Sequence, residues 1–554
     1  MYKAFFLLFL FSFTVLWAQK SYPKGDYHNP IGIPNYLSGN FGELRNNHFH
    51  SGIDIKTNQK TGYRVYAIDD GWVSRINVSP RGYGNAVYID HPNGYTSVYA
   101  HLESFNEEIE TFVRNYQYEN ELSVVEVYPQ KDELIIKKGE KIALSGNSGS
   151  SGGPHLHFEI RDTQTEEPIN PFLFGFDIPD SKTPLINGLY VYPINGDANG
   201  SKSRIAVSNN ASISASGKIG FGIKTYDKQN GADNNNGTYQ INLWVNDEPY
   251  FTFTAERTNF STTRAINRLI DYADKNQNYS WVYRLFQPEG NPLQMFSNVK
   301  NQGILNLEEG KTYKIRMEAI DFAGNKNTAH LTVTGKKPPG EPTPKQGIIF
   351  HWNQENNFQQ DEIKLNMPKG VIYDDIEFQY RKTNNGKYAI HDWDYPVHTY
   401  YTLGIKADGI SVENRQKAIL KREYKYRGTW RSEYINAAYK DGYITGQTRD
   451  FGVFSIDFDT TAPTINPINI KENSTFTAAK GVIRFTIKDD KTGIAGFKAH
   501  VDGKWILSYY DQKTASLTID LNREGVTKGK HELELKVWDE KNNTATYNVH
   551  FNKN

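Results

Sequence analysis

The chain has 554 residues, in which 63 lysines and arginines balance 63 aspartates and glutamates. This balance leaves no polycationic surface on the scale that phosphate binding needs, so nucleic acid is not an expected partner. The chain contains no cysteine, which excludes a disulfide framework, a thiolate zinc site and a cysteine nucleophile. At about 150 residues per domain, the length predicts three or four domains. Aromatic residues make up 14% of the chain and, with short Tyr-, Thr- and Val-rich runs, they favour β-structure.

The first 18 residues have the pattern of a secretory signal peptide. Lys3 precedes an apolar run from Ala4 to Trp17, and Ala18 offers a small residue for cleavage. The run is shorter than the about 20 residues of a membrane span, and no later apolar run reaches that length. We therefore expect an exported protein without a transmembrane anchor, located in the periplasm, at the cell surface or in the medium.

The first chemically suggestive motif is H-S-G-I-D at residues 50–54. A fully extended backbone would place His50 and Asp54 about 13 Å apart, which is too far for both to bind one ion. Gly52 lies between them and allows the backbone to bend. We therefore expect the imidazole and the carboxylate to meet.

Two further histidine motifs follow, each on a predicted strand. Y-A-H-L at 99–102 carries His101, and a Gly/Ser loop from residue 146 leads into H-L-H-F-E-I-R at 155–161. The period of two in the second motif puts His155 and His157 on one face of a strand. An isolated H-x-H is more often structural than metal-binding. However, seven of the 14 histidines fall in the first 160 residues, and this concentration favours a metal site with a catalytic neighbour.

Together these motifs resemble the signature of the lysostaphin/LytM-type zinc endopeptidases. The intervening runs A-I-D-D-G-W-V at 67–73 and G-Y-G-N-A-V-Y-I-D-H-P-N-G at 82–94 also resemble that family's barrel-like sheet. The resemblance covers residues 38–172 and implies an antiparallel β-sheet peptidase domain, which we place at residues 19–177. The substrate class that it implies is the peptide cross-links of bacterial peptidoglycan.

The resemblance also implies a role for each residue of the site. His50, Asp54 and His157 would bind one zinc ion. His101 and His155 would stay unligated, orient or deprotonate the attacking water, and stabilise the charge on the tetrahedral intermediate. All five positions are filled in this chain, whereas a non-catalytic relative usually lacks at least one.

After residue 102 the chain departs from the compact family pattern. S-F-N-E at 104–107 matches a capping box, and apolar residues at 109, 112, 113 and 116 recur with helical spacing. We predict a helical insertion over residues 104–118. It either shapes access to the active-site groove or is a peripheral decoration.

The rest of the chain predicts three more β-rich domains. A linker at 177–184, the proline-rich spacer K-K-P-P-G-E-P-T-P at 336–344 and D-T-T-A-P at 459–463 divide it into residues 184–336, 345–458 and 463–554. Y-K-I-R-M-E-A-I-D at 313–321 and H-E-L-E-L-K-V-W-D at 531–539 form a weak internal repeat. It predicts immunoglobulin-like (Ig-like) β-sandwiches for the first and last of these domains, and we expect a sandwich in the middle one.

The sequence therefore predicts a mainly β, exported zinc metalloendopeptidase of peptidoglycan with a tail of tandem Ig-like domains. No motif in the tail identifies a ligand: the domains could bind glycan, bind a partner protein of the envelope or cover the active-site groove. Two alternatives stay open. One is a non-catalytic regulator of the same fold that activates another wall hydrolase, and the other is an adhesion or scaffold protein that works through its Ig-like domains.

Overall fold

The computed structural model describes residues 22–176, 178–337, 340 and 347–554. The expected signal peptide, the expected domain end at Asp177 and most of the proline-rich spacer lie outside these residues. The described chain consists of β-sheets with a few short helices, so the prediction of a mainly β fold is confirmed. None of its helices is long and apolar enough to cross a membrane.

The N-terminal unit, residues 22–176, is an eleven-stranded antiparallel sheet with a two-stranded hairpin. Its central strand Tyr95–Phe105 pairs with Asn85–Asp90 on one side and with His155–Asp162 on the other, and the latter strand pairs with Ile53–Lys56. Alternate apolar side chains of these strands enter one buried cluster. The other strands are Leu37–Gly39, Leu44–Arg45, His48–Phe49, Arg64–Tyr66, Gly71–Val78, Val125–Val127, Ile135–Ile136, Lys141–Ser145 and Pro168–Ile169, and a 3₁₀ turn covers Pro171–Phe174.

The predicted helical insertion is the helix Glu107–Asn120. Its N-cap is Asn106, whose side chain accepts a hydrogen bond from the backbone N–H of Ile109 at 2.9 Å. The predicted capping box at Ser104 is wrong, because Ser104 still belongs to the strand Tyr95–Phe105. The N-cap therefore lies two residues later than the capping pattern indicates.

The second unit, residues 185–336, consists of two sheets around one hydrophobic cluster. Its five-stranded sheet contains Leu185–Asn195, Ile205–Val207, Lys218–Tyr226, Tyr283–Arg284 and Leu305–Asn306. Its six-stranded sheet contains Ala211–Ser216, Gln240–Val245, Glu248–Thr254, Phe296–Ser297, Thr312–Ile320 and Lys326–Lys336. Short helical segments cover Thr263–Ala265, Ile266–Leu269, Tyr272–Asn278 and Asn301–Gly303.

The third and C-terminal units, residues 348–458 and 464–553, are also β-rich. The third has the strands Ile348–Phe350, Asn356–Gln360, Ile363–Met367, Ile376–Phe378, Tyr380–Lys382, Tyr388–Ile390, Tyr401–Lys406, Ala418–Tyr426, Thr429–Lys440, Tyr443–Thr448 and Gly452–Phe458, and the helix Val412–Lys417. The C-terminal unit has two sheets around one cluster, formed by Thr464–Pro467, Ser474–Phe476, Val482–Lys488, Ile494–Val501, Lys504–Ile506, Tyr509–Asp511, Ser516–Asp520, Gly529–Asp539 and Thr544–Lys553, with a 3₁₀ turn at Ala478–Lys480.

The segment that leads to His50 packs into the second unit. Phe41 and Phe49 are buried in that unit's hydrophobic cluster, with 2% and 1% of their surface exposed. The backbone N–H of Phe49 also donates to Oγ1 of Thr263 at 2.8 Å. The position of His50 in space therefore depends on residues more than 200 positions later in the chain.

The C-terminal unit returns to the N-terminal unit and contacts the insertion helix. Arg114 of the helix donates two hydrogen bonds to Glu524, at 3.0 and 2.9 Å, and the Glu524 side chain has no exposed surface. One turn further, the ring of Tyr118 meets Trp505 edge-to-face with 5.0 Å between centroids. The structure shows a role for the insertion beyond the two that the sequence leaves open: the helix is a docking element for the C-terminal unit.

Candidate metal and catalytic centre

The three predicted metal ligands come together at the junction of two paired strands. His157 lies directly opposite Asp54 in the strand register. Oδ1 of Asp54 is 2.8 Å from Nδ1 of His157 and 3.0 Å from Nε2 of His50, and the two ring nitrogens are 3.1 Å apart. Ligand atoms of a tetrahedral zinc ion with bonds of about 2.0–2.1 Å lie about 3.3 Å from one another. The three buried donor atoms therefore have nearly the spacing that zinc requires.

Gly52 allows this arrangement by its lack of a side chain. A Cβ atom at this position would lie 2.3 Å from the backbone oxygen of Phe158 and 2.8 Å from Cγ of Glu159. The sequence predicts that a bend at Gly52 brings His50 to Asp54, and the proximity is as expected. Glycine is required for a different reason: the strand that carries His157 passes so close to residue 52 that any side chain there would clash with it.

Hydrogen bonds fix which nitrogen each histidine ligand presents to a metal. Nδ1–H of His50 donates to the backbone oxygen of Asn40 at 2.7 Å, so its Nε2 lone pair points to the cluster. Nε2–H of His157 donates to Oε1 of Glu159 at 2.7 Å, so its Nδ1 lone pair points to the same place. Both rings are held in the tautomer that a metal ligand needs.

Charged neighbours favour the ionised form of Asp54 and the protonated form of His157. Burial would raise the pKa of Asp54, but the surrounding histidines outweigh burial and hold that pKa well below its usual range. Arg45 donates to Oδ2 of Asp54 at 3.1 Å, which leaves Oδ1 for the metal. Burial opposes a charge on His157, yet its hydrogen bonds and charge interactions with Asp54 and Glu159 raise its pKa to about 9. A proton on Nδ1 of His157 therefore competes with a cation for this nitrogen.

Glu159 is a functional residue that the sequence analysis does not assign. It is fully buried and accepts hydrogen bonds from His157, Ser51 and Tyr83 through Oε1, and from Arg161 through Oε2 at 2.6 Å. The alternation H-x-E-x-R from 157 to 161 places all three charged or titratable side chains on one face of the strand. This alternation is the sequence signal for Glu159, because a buried Glu beside a metal-binding His is expected to orient its imidazole.

His101 and His155 stand beside His50, Asp54 and His157. Their ring centroids are 4.8 Å apart. Nδ1–H of His155 donates to the backbone oxygen of Gly153 at 2.8 Å, and Nδ1–H of His101 donates to that of Ser148 at 2.9 Å. With Nδ1 engaged, each ring can act only through Nε2, and that of His155 lies within ion-pair distance of Oδ1 of Asp54, at 3.3 Å.

The backbone at His101 is strained. Its φ is 59°, in the left-handed region, at a place where the register of two paired strands shifts. Its N–H leaves the regular ladder and donates to the oxygen of Tyr83 at 2.9 Å. Such a conformation costs a non-glycine residue about 1–3 kcal/mol and is typical of functional sites. Burial, assisted by the nearby His157 and His155, lowers the pKa of His101 to about 3, so this imidazole is neutral at physiological pH.

An open groove of about 720 Å³ gives access to the cluster. Asp54 and His155 lie in its floor, and its walls include Tyr36, the loop 152–154 and Gly231 of the second unit. His48, which forms a second H-x-H with His50, is exposed and donates from Nδ1 to the backbone oxygen of Asn46 instead. The groove is large enough for an extended peptide to reach the cluster.

Known proteins resemble the chain in two regions. Residues 48–118 and 116–171 match peptidase family M23, and residues 348–459 match the Zu5-like domain. DD-carboxypeptidase/endopeptidase Mpg of Neisseria meningitidis serogroup B is 33% identical over 131 residues, which are 24% of each chain. Peptidoglycan DD-endopeptidase ShyB of Vibrio cholerae serotype O1 is 32% identical over 111 residues, 20% of each chain. Murein hydrolase activator NlpD of Escherichia coli K12 is 33% identical over 112 residues, 20% of this chain and 23% of NlpD.

The matched regions agree with the observed geometry. The chain spans only between a fifth and a quarter of the length of these relatives, and the matched part is the one that carries His50, Asp54, His101, His155 and His157. The first β-rich unit thus has both the sequence pattern and the ligand arrangement expected of the family, and a later β-rich unit is Zu5-like. The N-terminal unit of this chain is a peptidase family M23 domain of the lysostaphin/LytM type.

Proposed function

We propose that this protein is an exported zinc metalloendopeptidase that hydrolyses peptide cross-links of bacterial peptidoglycan. The observation that carries the proposal is the buried cluster of His50, Asp54 and His157, whose donor atoms converge with their tautomers fixed. The names of the relatives Mpg and ShyB, an endopeptidase and a peptidoglycan endopeptidase, support the substrate class. Action on the cell wall requires export to the periplasm or the cell surface.

A bound zinc ion would act as a Lewis acid, polarising a substrate carbonyl and lowering the pKa of a water molecule. The protein would hold the ion with the two neutral imidazoles of His50 and His157 and the carboxylate of Asp54. Asn40 and Glu159 keep the two rings in the required orientation, and Arg45 keeps the second oxygen of Asp54 occupied.

His101 and His155 would perform the proton transfers. Each donates Nδ1–H to a backbone oxygen, so Nε2 is the atom that can accept a proton from water. A ring that has accepted this proton becomes a donor, and it can then stabilise the developing oxyanion or protonate the leaving amine. The low pKa of His101 keeps it in the accepting form before reaction.

The other units would position the peptidase domain. We propose domain limits of 19–177, 184–336, 345–458 and 463–554, with Ig-like sandwiches in the second and last and a sandwich-like fold in the third. The second unit supports the segment before His50, and the C-terminal unit docks on the insertion helix at Arg114. A partner protein of the envelope could bind these units without changing the site.

Metal content and hydrolysis of four variants test the proposal. We expect His157→Ala and Asp54→Ala to lose both zinc and hydrolysis, because each removes a ligand atom. His101→Ala should keep stoichiometric zinc and lose at least about a hundredfold in rate, the usual contribution of a general base. His48→Ala is the matched control and should keep both. Stoichiometric zinc and full activity in the Asp54 variant would overturn the ligand assignment.

A second function is supported by the similarity to murein hydrolase activator NlpD. In that case the domain would bind and stimulate another wall hydrolase. The two functions differ in a simple assay: the activator yields no product from peptidoglycan alone, but raises the rate of a partner hydrolase even when His101 is replaced. The complete set of five site residues favours the endopeptidase.

A further inference from the structure

A second cluster of potential metal ligands lies where the second unit begins. Asp180 precedes the first strand of that unit, Asp227 follows the strand Lys218–Tyr226, and Asp321 follows Thr312–Ile320. One carboxylate oxygen of each lies within 4.8 Å of the others. All three line a cavity of about 200 Å³. Asp227 and Asp321 are 2% and 3% exposed, so water does not solvate their charges freely.

Two oxygen atoms in this cavity lack hydrogen-bond donors among the described residues. They are Oδ1 of Asp227 and Oε1 of Gln229, a residue only 4% exposed that lines the same cavity. A buried acceptor without a partner costs about 1–3 kcal/mol. The nearby ammonium of Lys182 donates to the backbone oxygens of Gln229 and Ala232, at 2.9 and 3.4 Å. The amide oxygen of Gln229, in a residue that lines this carboxylate-rich cavity, thus has no hydrogen-bond donor in the part of the chain that the structure describes.

Without a cation, the cluster cannot carry its full charge. Burial, followed by repulsion from Asp180 and Asp321, raises the pKa of Asp227 to about 8. A divalent cation would replace the proton and satisfy the unpaired oxygens. The donors are all oxygens, without a histidine or cysteine, and this set favours a hard cation such as Ca²⁺ over zinc.

The same arrangement recurs at the entrance to the C-terminal unit. Asp459, Asp489 and Asp539 place one oxygen each within 4.8 Å of the others. Asp459 and Asp539 are fully buried, and Oδ1 of Asp459 and Oδ1 of Asp489 have no hydrogen-bond partner among the described residues. The side-chain amide of Asn543 ties the cluster together by donating to Oδ2 of Asp539 at 2.7 Å and to the backbone oxygen of Asp459 at 2.9 Å.

The two clusters share a pair of hydrogen bonds from one asparagine. In the first, the amide of Asn325 donates to Oδ2 of Asp321 at 2.8 Å and to the backbone oxygen of Asp180 at 3.2 Å. Both clusters combine D-x-x-x-P before the unit, an aspartate after an early strand and D-x-x-x-N after a late strand, at 180–184, 227 and 321–325 and at 459–463, 489 and 539–543. Each copy of the internal repeat, at 313–321 and 531–539, thus ends in one aspartate of a carboxylate trio.

We propose that each of these two junctions binds one Ca²⁺ ion. The first junction site consists of Asp180, Asp227 and Asp321, with the amide oxygen of Gln229 as a further ligand. The second junction site consists of Asp459, Asp489 and Asp539. Backbone oxygens and water would complete the six to eight ligands that Ca²⁺ takes.

The first junction site is connected to the peptidase centre. Asp227 precedes the loop 228–236, and two backbone hydrogen bonds between Asp227 and Asn236 close this loop. Gly237 follows the loop. The backbone of Gly237 exchanges two hydrogen bonds of 2.7 Å with the side chain of Asn40, whose own backbone oxygen orients His50. An ion that fixes the loop 228–236 would therefore also fix Asn40, which orients His50.

Calorimetric titration of the zinc-loaded chain with CaCl₂, after residual Ca²⁺ has been removed by an ion-exchange resin, tests the proposal. We expect two ions per chain. Asp227→Asn and Asp489→Asn should each reduce the number to one, whereas Asp233→Asn, an exposed acid of the same loop 228–236, should leave it at two. The melting temperature of the wild type should rise with Ca²⁺, and each of the first two variants should lose part of that rise.

The outcomes separate the two sites and do not depend on hydrolytic activity. No saturable binding to the wild type would overturn the proposal, and two ions in the Asp227→Asn protein would overturn the first junction site. Two ions in the Asp489→Asn protein would overturn the second junction site alone. If Asp227→Asn fails to fold, the partly exposed Asp180→Asn provides the same test of the first junction site.

Discussion

Replacing Glu159 by glutamine tests how the protein orients its zinc ligands. Glutamine keeps the volume of the side chain and an oxygen for Nε2–H of His157, but it removes the negative charge. It also replaces an acceptor of four hydrogen bonds by a group whose NH₂ can accept none. The change therefore acts on the tautomer and basicity of His157 without touching the metal.

Two magnitudes follow from the contacts. Loss of a hydrogen-bonded carboxylate behind a metal-binding His typically reduces metal affinity by about 10–100-fold, or about 1.4–2.7 kcal/mol. Arg161 also loses its closest carboxylate partner, and its side chain is only 4% exposed. Breaking a buried pair in this way costs about 3–5 kcal/mol of folding stability, and here Glu166, 3.6 Å away, reduces that cost.

Zinc competition with a chromophoric chelator measures the affinity, and thermal unfolding followed by circular dichroism measures the stability. Glu126→Gln is a suitable control, because Glu126 is half-exposed and lies on another strand of the same sheet. We expect a weaker zinc complex and a lower melting temperature in the Glu159 variant only. An unchanged zinc affinity in a folded Glu159→Gln protein would refute the proposed orienting role.

Three further predictions concern docking, zinc binding and the first junction site. Arg114→Ala should weaken the docking of the C-terminal unit, because the buried Glu524 loses its arginine partner at a cost of up to about 3–5 kcal/mol, which the remaining hydrogen bond from Tyr118 reduces; X-ray scattering should show a larger radius of gyration, whereas Lys536→Ala, at an exposed position of the same unit, should not change it, and equal radii would contradict the docking. Because the pKa of His157 is raised to about 9, zinc must displace a proton below that pH, so the apparent affinity should rise about tenfold per pH unit up to pH 9; an affinity independent of pH would be incompatible with this. The pKa of Asp227 is raised from an ordinary 3.8 to about 8. Between these pH values the folded Ca²⁺-free protein binds more protons than the unfolded chain, so its free energy of unfolding should fall as pH rises from about 4 to 8. Asp227→Asn should flatten this fall in calorimetric melting profiles, and a parallel profile would exclude the effect.

The sequence predicts the site well because its geometry is local to a few strands. Alternation along residues 155–161 puts His155 and His157 on one face, and antiparallel pairing needs only the correct register to bring His157 opposite Asp54. The ligand motif at 50–54 is short enough for the chain itself to bring its ends together. Spacing and the family resemblance are therefore enough to predict the five site residues. To predict Glu159, the same alternation has to be followed two residues further along the strand.

Contacts between distant parts of the chain were not accessible in this way. Nothing in the composition of the segment before His50 shows that Phe41 and Phe49 fill a hydrophobic cluster of the second unit. A fragment that ends at residue 177 would expose both rings and leave His50 without this support. The pairing of Arg114 with Glu524 is equally invisible, because 410 residues separate the partners and each alone has the character of a surface charge. The helix start at Asn106 shows a smaller limit: strand pairing at Ser104 outweighs a local capping pattern.

Digestion of purified, cross-linked peptidoglycan by residues 19–554 tests the central claim most directly. The products are resolved by mass, with and without a chelator, and beside the His101→Ala protein. The account predicts new peptide ends that appear with the wild type, disappear with the chelator and are nearly absent with the variant, although the variant retains zinc. If the wild type binds one zinc ion in the cluster and still releases no peptide ends, the endopeptidase assignment is contradicted and the activator takes its place.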